Sequence, residues 1–166
     1  HHRSSAASDV YKRQSLQHFE QSLELSKESN DLFRQERNLG SIGVVLHSLG
    51  EYDRAIEYCH QAIDINRTVG NRRNESIMLG NVATLYTSIG DYDQALIHLH
   101  RGLTISQEIG NRYQEAVHLG NLGIIFDYQG HYARAIEQYQ KSLTVSEAIG
   151  DLHQQGLSLG NLGELH

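Results

Sequence analysis

From Ser15 onward the apolar residues recur at spacings of three, four and seven. Leu16, Phe19, Leu23 and Leu25 stand where Ile56, Cys59, Ile63 and Ile65 stand one period later. The same positions then carry Leu96, Leu99, Leu103 and Ile105, and after them Ile136, Tyr139, Leu143 and Val145. Such spacing lines one face of an α-helix. A second stripe alternates with the first: Leu39, Ile42 and Leu46, then Leu79, Val82 and Tyr86, then Leu119, Leu122 and Phe126. Two kinds of amphipathic helix therefore follow one another along the chain.

The repeat is fixed in length. Leu119-Gly120-Asn121-Leu122-Gly123 returns verbatim as Leu159-Gly160-Asn161-Leu162-Gly163, with close variants at Leu79–Ala83 and Leu39–Gly43. The glycines fall at 40, 80, 120 and 160, a period of 40 residues. A period in this range marks a solenoid whose units bury their apolar faces against one another. Punctuation repeats as well. Gly50, Gly90 and Gly130 follow one helix type, and Gly70, Gly110 and Gly150 the other. Glycine just past a helix closes the last turn in the left-handed conformation. Asn71, Asn111 and Asp151 come next as N-cap residues, and Gln114 and Gln154 lie at capping-box spacing. The pattern predicts eight helices, near 15–29, 32–49, 53–69, 72–89, 93–109, 112–129, 133–149 and 152–166. A glycine inside a helix costs about 0.5–1 kcal/mol relative to alanine. Its recurrence at 40, 80, 120 and 160 implies a close approach there, by a packed helix or by a ligand backbone, and helix packing is the favoured cause.

Residues 1–14 do not fit the repeat. The run from Ser4 to Gln14 resembles translated adapter read-through of environmental sequencing, a non-native leader; an ordinary disordered terminus is the alternative. The array is expected over 15–166, as a half repeat, three full repeats and the start of a fourth, which reads as a metagenomic fragment of a longer array. Its apolar end stripes are expected to fray or to stack. Composition narrows the function. The formal net charge is -6, and the 14 Lys and Arg are scattered, which opposes nucleic-acid binding. No apolar run reaches the roughly 18–20 residues that span a bilayer. The lone Cys59 suits a reducing cytoplasm.

Within each unit the motif continues as Gly50-Glu51-Tyr52-Asp53-Arg54-Ala55, Gly90-Asp91-Tyr92-Asp93-Gln94-Ala95 and Gly130-His131-Tyr132-Ala133-Arg134-Ala135. This resembles the tetratricopeptide repeat, in the longer Leu-Gly-Asn form found in spindle-orientation adaptors and bacterial multidomain signalling proteins. The usual unit has about 34 residues and ends in proline; this one has 40 and the chain has no proline. The resemblance implies an all-α, right-handed α-solenoid of antiparallel helix pairs. It implies that Ala55, Ala95, Ala135, Gly43, Ala83 and Gly123 let helices cross closely, while Tyr52, Tyr92 and Tyr132 fill the wedge between them as largely buried side chains.

It also implies function: a protein or peptide ligand held in a concave groove lined by the first helix of each pair. The groove positions are Arg37, Ser41, Val44 and His47; Ile77, Asn81, Thr84 and Thr87; Val117, Asn121, Ile124, Asp127 and Tyr128; and Leu157, Asn161 and Glu164. The column Ser41, Asn81, Asn121, Asn161 is the distinctive feature, because an amide offers a donor and an acceptor together to a peptide backbone. The alternative is that these amides bond to neighbouring helices or water. Only Arg37 among these positions is basic, so a carboxylate clamp is not expected. An attached effector domain (peptidase, kinase or NTPase) in the same chain is the second functional reading. The 11 histidines show no four-residue metal-binding pair within a helix and read as surface residues. Cys59 reads as packing. No catalytic residue, metal or cofactor is expected.

Overall fold

The computed structural model describes residues 2–165, with side chains from residue 6 onward. Among them are eight α-helices and no strand: α1 (His2–Glu28), α2 (Leu32–Ser48), α3 (Tyr52–Thr68), α4 (Arg72–Ser88), α5 (Tyr92–Glu108), α6 (Arg112–Tyr128), α7 (Tyr132–Ile149) and α8 (Leu152–Leu165). From α2 onward every start lies within one residue of the sequence expectation. The chain divides into two compact units, one ending at Asn71 and one beginning at Arg72.

The turns explain the sharp boundaries. Gly50, Gly70, Gly90, Gly110, Gly130 and Gly150 all take positive φ, between 67° and 79°. The following N–H then returns to the carbonyl five residues back, as Asn111 N does to Ser106 O at 2.8 Å and His131 N to Phe126 O at 2.8 Å. This closes each helix end without an orphan carbonyl. On the far side, Asn111 Oδ1 accepts from Gln114 N at 3.2 Å and Asp151 Oδ1 from Gln154 N at 3.1 Å. The side chains of these glutamines do not complete the expected capping boxes. Gln154 Nε2 instead turns inward, donating to Ser142 Oγ at 3.1 Å and to Ala116 O at 3.4 Å. A buried carbonyl is a better use of an amide than a backbone N–H that water can reach.

In the first unit α2 packs against both α1 and α3. Leu39, Ile42 and Leu46 are buried opposite Leu16, Leu23, Ala55, Cys59 and Ile63. α1 begins at His2, not near residue 15, so residues 6–14 continue the helix. Lys12 Nζ donates to Ser48 O at 3.2 Å and Arg13 pairs with Glu51 at 3.2 Å. The apolar pattern misses this stretch because charged side chains, bonded to a backbone carbonyl and a carboxylate, hold it. Leu25, by contrast, is 66% exposed although it shares the register of buried Ile105.

The second unit packs α4 on α5, α5 on α6, α6 on α7 and α7 on α8. Its core joins Ala83, Ala95, Leu99, Leu122, Ile125, Phe126, Ala135 and Tyr139. The small positions are as close to neighbours as the motif implies. A Cβ added to Gly123 would stand 2.6 Å from Tyr139 Cδ1, and in the first unit one on Gly43 would stand 2.9 Å from Cys59 Sγ. Two glycines of the 40-residue column answer to helix packing too, whereas a Cβ at Gly160 would meet nothing within 4 Å. A Cβ at Gly80 would meet His118 Cε1 at 2.9 Å, and one at Gly120 would meet Gln154 Nε2 at 2.7 Å.

The wedge tyrosines depart from expectation. Tyr52 and Tyr92 are half-buried, and Tyr132 is 57% exposed. Tyr52 lies beside His47, and Tyr92 beside Tyr128 with ring centroids 6.1 Å apart. They cover helix ends and do not fill the crossing. The crossing is filled by the side chain seven residues further along the same helix: Cys59, Leu99 and Tyr139.

Not every histidine lies on the surface. His118 is fully buried on α6, against Gly80 of α4 and Gly102 of α5. Ser76 Oγ donates to Gly102 O at 2.9 Å and lies 3.0 Å from His118 Nε2. With the serine proton committed to that carbonyl, Nε2 carries the ring proton and Nδ1 is left buried without a partner. The charged residues beside this joint, Glu75 and Arg101, pair with each other at 3.3 Å. Burial pushes the His118 ring down from 6.5 to about 4, against a smaller opposing hydrogen bond with the Ser76 backbone.

Two outcomes follow from this packing. Gly123→Ala should destabilise the second unit by about 1–3 kcal/mol through overpacking on Tyr139, despite the gain in helix propensity. Combining it with Tyr139→Leu recreates the Ala83–Leu99 pair, so urea melts should show the double variant more stable than the sum of the singles. Simple additivity would contradict the contact. For His118 the folded value lies below the unfolded one. Its stabilisation is therefore complete above about pH 6.5 and is lost as pH falls toward 4, by up to about 3 kcal/mol. His118→Met, the residue at the matching position 78, should flatten that part of the pH–stability curve. Parallel curves for the two proteins would show that the ring titrates freely.

Candidate functional site

Packing the Leu79, Val82 and Ala83 face of α4 inward leaves Asn81, Thr84 and Ser88 facing outward, since residues three and four apart share a helix face. On α6 the same logic buries Leu122, Gly123 and Phe126 and leaves Asn121, Ile124, Asp127 and Tyr128 at least partly open. Between these two helices lies a cleft of about 290 Å³ floored by Ala83, Leu99 and Ile125, with Thr84, Thr87, Ser88, Asn121, Ile124 and Tyr128 around it. Of the residues expected from the sequence, it brings together Thr84, Asn121 and Tyr128. Thr87 and Ile124, expected groove positions, join them. Ser88 and the floor residues Ala83, Leu99 and Ile125 were not among the expected groove positions, although Ser88 occupies the register of Tyr128.

The polar groups of the cleft divide into two kinds. Thr84 Oγ1 donates to Gly80 O at 3.1 Å, Thr87 Oγ1 to Ala83 O at 2.8 Å and Ser88 Oγ to Thr84 O at 3.0 Å. Their protons are thus held by their own helix, and only lone pairs remain for a ligand. The Asn121 amide is half-exposed and makes no hydrogen bond among the described residues, and neither does Asn161 on α8. Asn81 is exposed, with only a 4.0 Å approach to Met78 Sδ. Asp127 and Glu164 both act on the buried Tyr139 hydroxyl, which burial first and these carboxylates next push up to about 12. In the first unit, Arg37 is exposed, and Ser41 Oγ donates to Arg37 O at 3.0 Å. Val44 is 64% exposed there.

A larger hollow of about 650 Å³ lies between α5 and α7. Its apolar floor includes Leu119, Leu122 and Val145, but its rim charges satisfy each other: Lys141 Nζ meets Glu137 at 2.6 Å, and Gln107 donates to Glu115 at 3.1 Å. The side chains of His100, Gln138 and Gln140 also stand in this hollow; the smaller cleft differs in holding a groove-column amide, Asn121, over an apolar floor. Cys59 is buried and its thiol is pushed up to about 11 by desolvation, which disfavours the nucleophilic thiolate. Among the described residues no three His, Cys, Asp or Glu side chains gather as a metal cluster, and no helix is long and apolar enough to cross a membrane.

Solved structures share this helical fold. The chain is similar to BtubC (BKLC) from P. vanneervenii, at 17% identity and a TM-score of 0.74 over 92% of this chain and 67% of that one. It is similar to aspartyl phosphate phosphatase F from Bacillus subtilis, at 18% identity and a TM-score of 0.82 over 89% of this chain. A Rap protein complexed with competence and sporulation factor matches at 18% identity and a TM-score of 0.81 over 93% of this chain. The chain spans 39% of the phosphatase and 46% of the Rap protein. No curated protein matches it. The tetratricopeptide repeat family matches residues 34–108 and 74–148, two spans offset by one period. With most of the sequence covered by that match, and paired helices closed by glycine at the turns from Gly50 to Gly150, the chain belongs to the tetratricopeptide repeat family.

Proposed function

We propose that this protein is a non-enzymatic interaction scaffold that holds a peptide segment of a partner on the open face of its first helices. The observation that carries the reading is the pair Asn121 and Asn161, one period apart, whose amides find no partner within the protein. A side chain that made the scaffold would be bonded; these are free to meet a peptide backbone. Arg37, Ser41, Asn81, Thr84, Asp127 and Tyr128 are the further contacts of this reading. The 40-residue unit also supports membership of the Leu-Gly-Asn subclass. The buried, unpaired Cys59 is compatible with a cytoplasmic setting.

A second reading has the array controlling an effector domain in a longer chain. It is supported by the similarity to aspartyl phosphate phosphatase F, of which this chain matches only 39%.

Peptides selected from a random dodecapeptide display library on the immobilised chain supply the test. Asn121→Ala should weaken the selected peptides about tenfold or more, the cost of an unpaired peptide group being about 1–3 kcal/mol. Because neutral hydrogen bonds carry the contact, the ratio should be insensitive to salt. Stability should stay within about 0.5 kcal/mol, as for an exposed side chain without partners. Full affinity with a lowered melting temperature would assign the amide to the scaffold and overturn the reading.

A further inference from the structure

We propose that the cleft between α4 and α6 is a subsite for a cationic side chain, lysine or arginine, of the bound segment; this rests on the groove reading above. Three features of the cleft point the same way. Its threonine and serine hydroxyls present only acceptors. Thr84, Thr87 and Ser88 each donate to a main-chain carbonyl of α4, so their outward lone pairs favour an N–H donor and offer nothing to a carboxylate. Its lining carries no positive charge. No Lys, Arg or His lines it, and half-exposed Asp127, next to Tyr128 in sequence, lies just outside the lining. Its shape suits an aliphatic stem with a polar head. The floor of Ala83, Leu99 and Ile125 is apolar, and the Tyr128 ring, 62% exposed, offers a π face at the rim. A volume of about 290 Å³ accepts one long side chain.

The alternatives fit less well. A glutamate would bring its charge against the lone pairs of three hydroxyls, with only the Asn121 amide and the Tyr128 hydroxyl left to donate to it. A purely aliphatic side chain would fill the floor but leave those acceptors without a donor. The tetratricopeptide fold does not itself dictate this preference, because the matching positions in the first unit are Val44, His47 and Ser48.

The test uses the full chain, labelled with ¹⁵N, and four amidated octapeptides of alanine and glycine that differ at one central position: lysine, acetyl-lysine, norleucine or glutamate. Amide shifts of Thr84, Ser88, Asn121 and Ile124 report the cleft; those of Leu119 and Val145 report the hollow between α5 and α7. The lysine peptide should shift the cleft amides and bind at least fivefold more tightly than the other three. Its advantage should shrink in 0.5 M salt. Asp127→Asn should lower lysine binding several-fold and leave the norleucine peptide unchanged. Equal binding of the lysine and norleucine peptides in the cleft would overturn the subsite while leaving the groove reading standing. No cleft shift with any peptide, or shifts confined to the hollow, would overturn both.

Discussion

A slot the size of a missing methyl group governs how these helices meet. On one helix a glycine removes its Cβ, and on the neighbour a larger side chain enters the space. Cys59 does so at Gly43, His118 at Gly80, Gln154 at Gly120 and Tyr139 at Gly123. Each such glycine gives up about 0.5–1 kcal/mol of helix propensity. Full burial of an aromatic ring such as Tyr139 returns about 1.5–3 kcal/mol, so the exchange favours the folded array. The same slot fixes register: a helix displaced by one residue would set a Cβ against the ring.

The register in turn decides which side chains remain open. Since the glycine and leucine faces of α4 and α6 are committed to packing, the residues between them must face outward. That places Asn81, Thr84, Asn121, Ile124 and Asp127 on accessible positions of the first helices. The helix backbones take the hydroxyl protons of the threonines and Ser88, and no neighbour takes the Asn121 amide. The outward face is therefore a set of acceptors and free amides on an apolar floor, a surface chemistry that scaffold packing alone does not call for.

Much of this was legible in the sequence because glycine has so few ways to be used. Six glycines at positive φ set the helix ends, and the 40-residue column marked close crossings at Gly80 and Gly120, though not at Gly160. What escaped was the identity of the residue filling each slot. The tyrosines of the Gly-x-Tyr motif stand at helix starts, where a ring can be half covered; Tyr139, which fills the crossing, reads in sequence as one more member of an apolar stripe. His118 was hidden for a similar reason. Its column reads Asn38, Met78, His118 and Ser158, with no shared chemistry, and only the facing glycines at 80 and 102 make a buried imidazole possible. Gln154 looked like a cap and became an interface donor. The groove residues were legible as positions, since helical spacing fixes faces, but the commitment of the threonine protons depends on rotamers that no spacing encodes.

The central claim is that the open face of the first helices, not the larger hollow behind them, holds the partner segment. Photo-crosslinking decides it most directly, with p-benzoylphenylalanine placed at Ile124 in the cleft or at Thr144 in the hollow. A library-selected peptide should crosslink from position 124 and not from position 144. Crosslinking from 144 alone, or equally from both, would contradict the account.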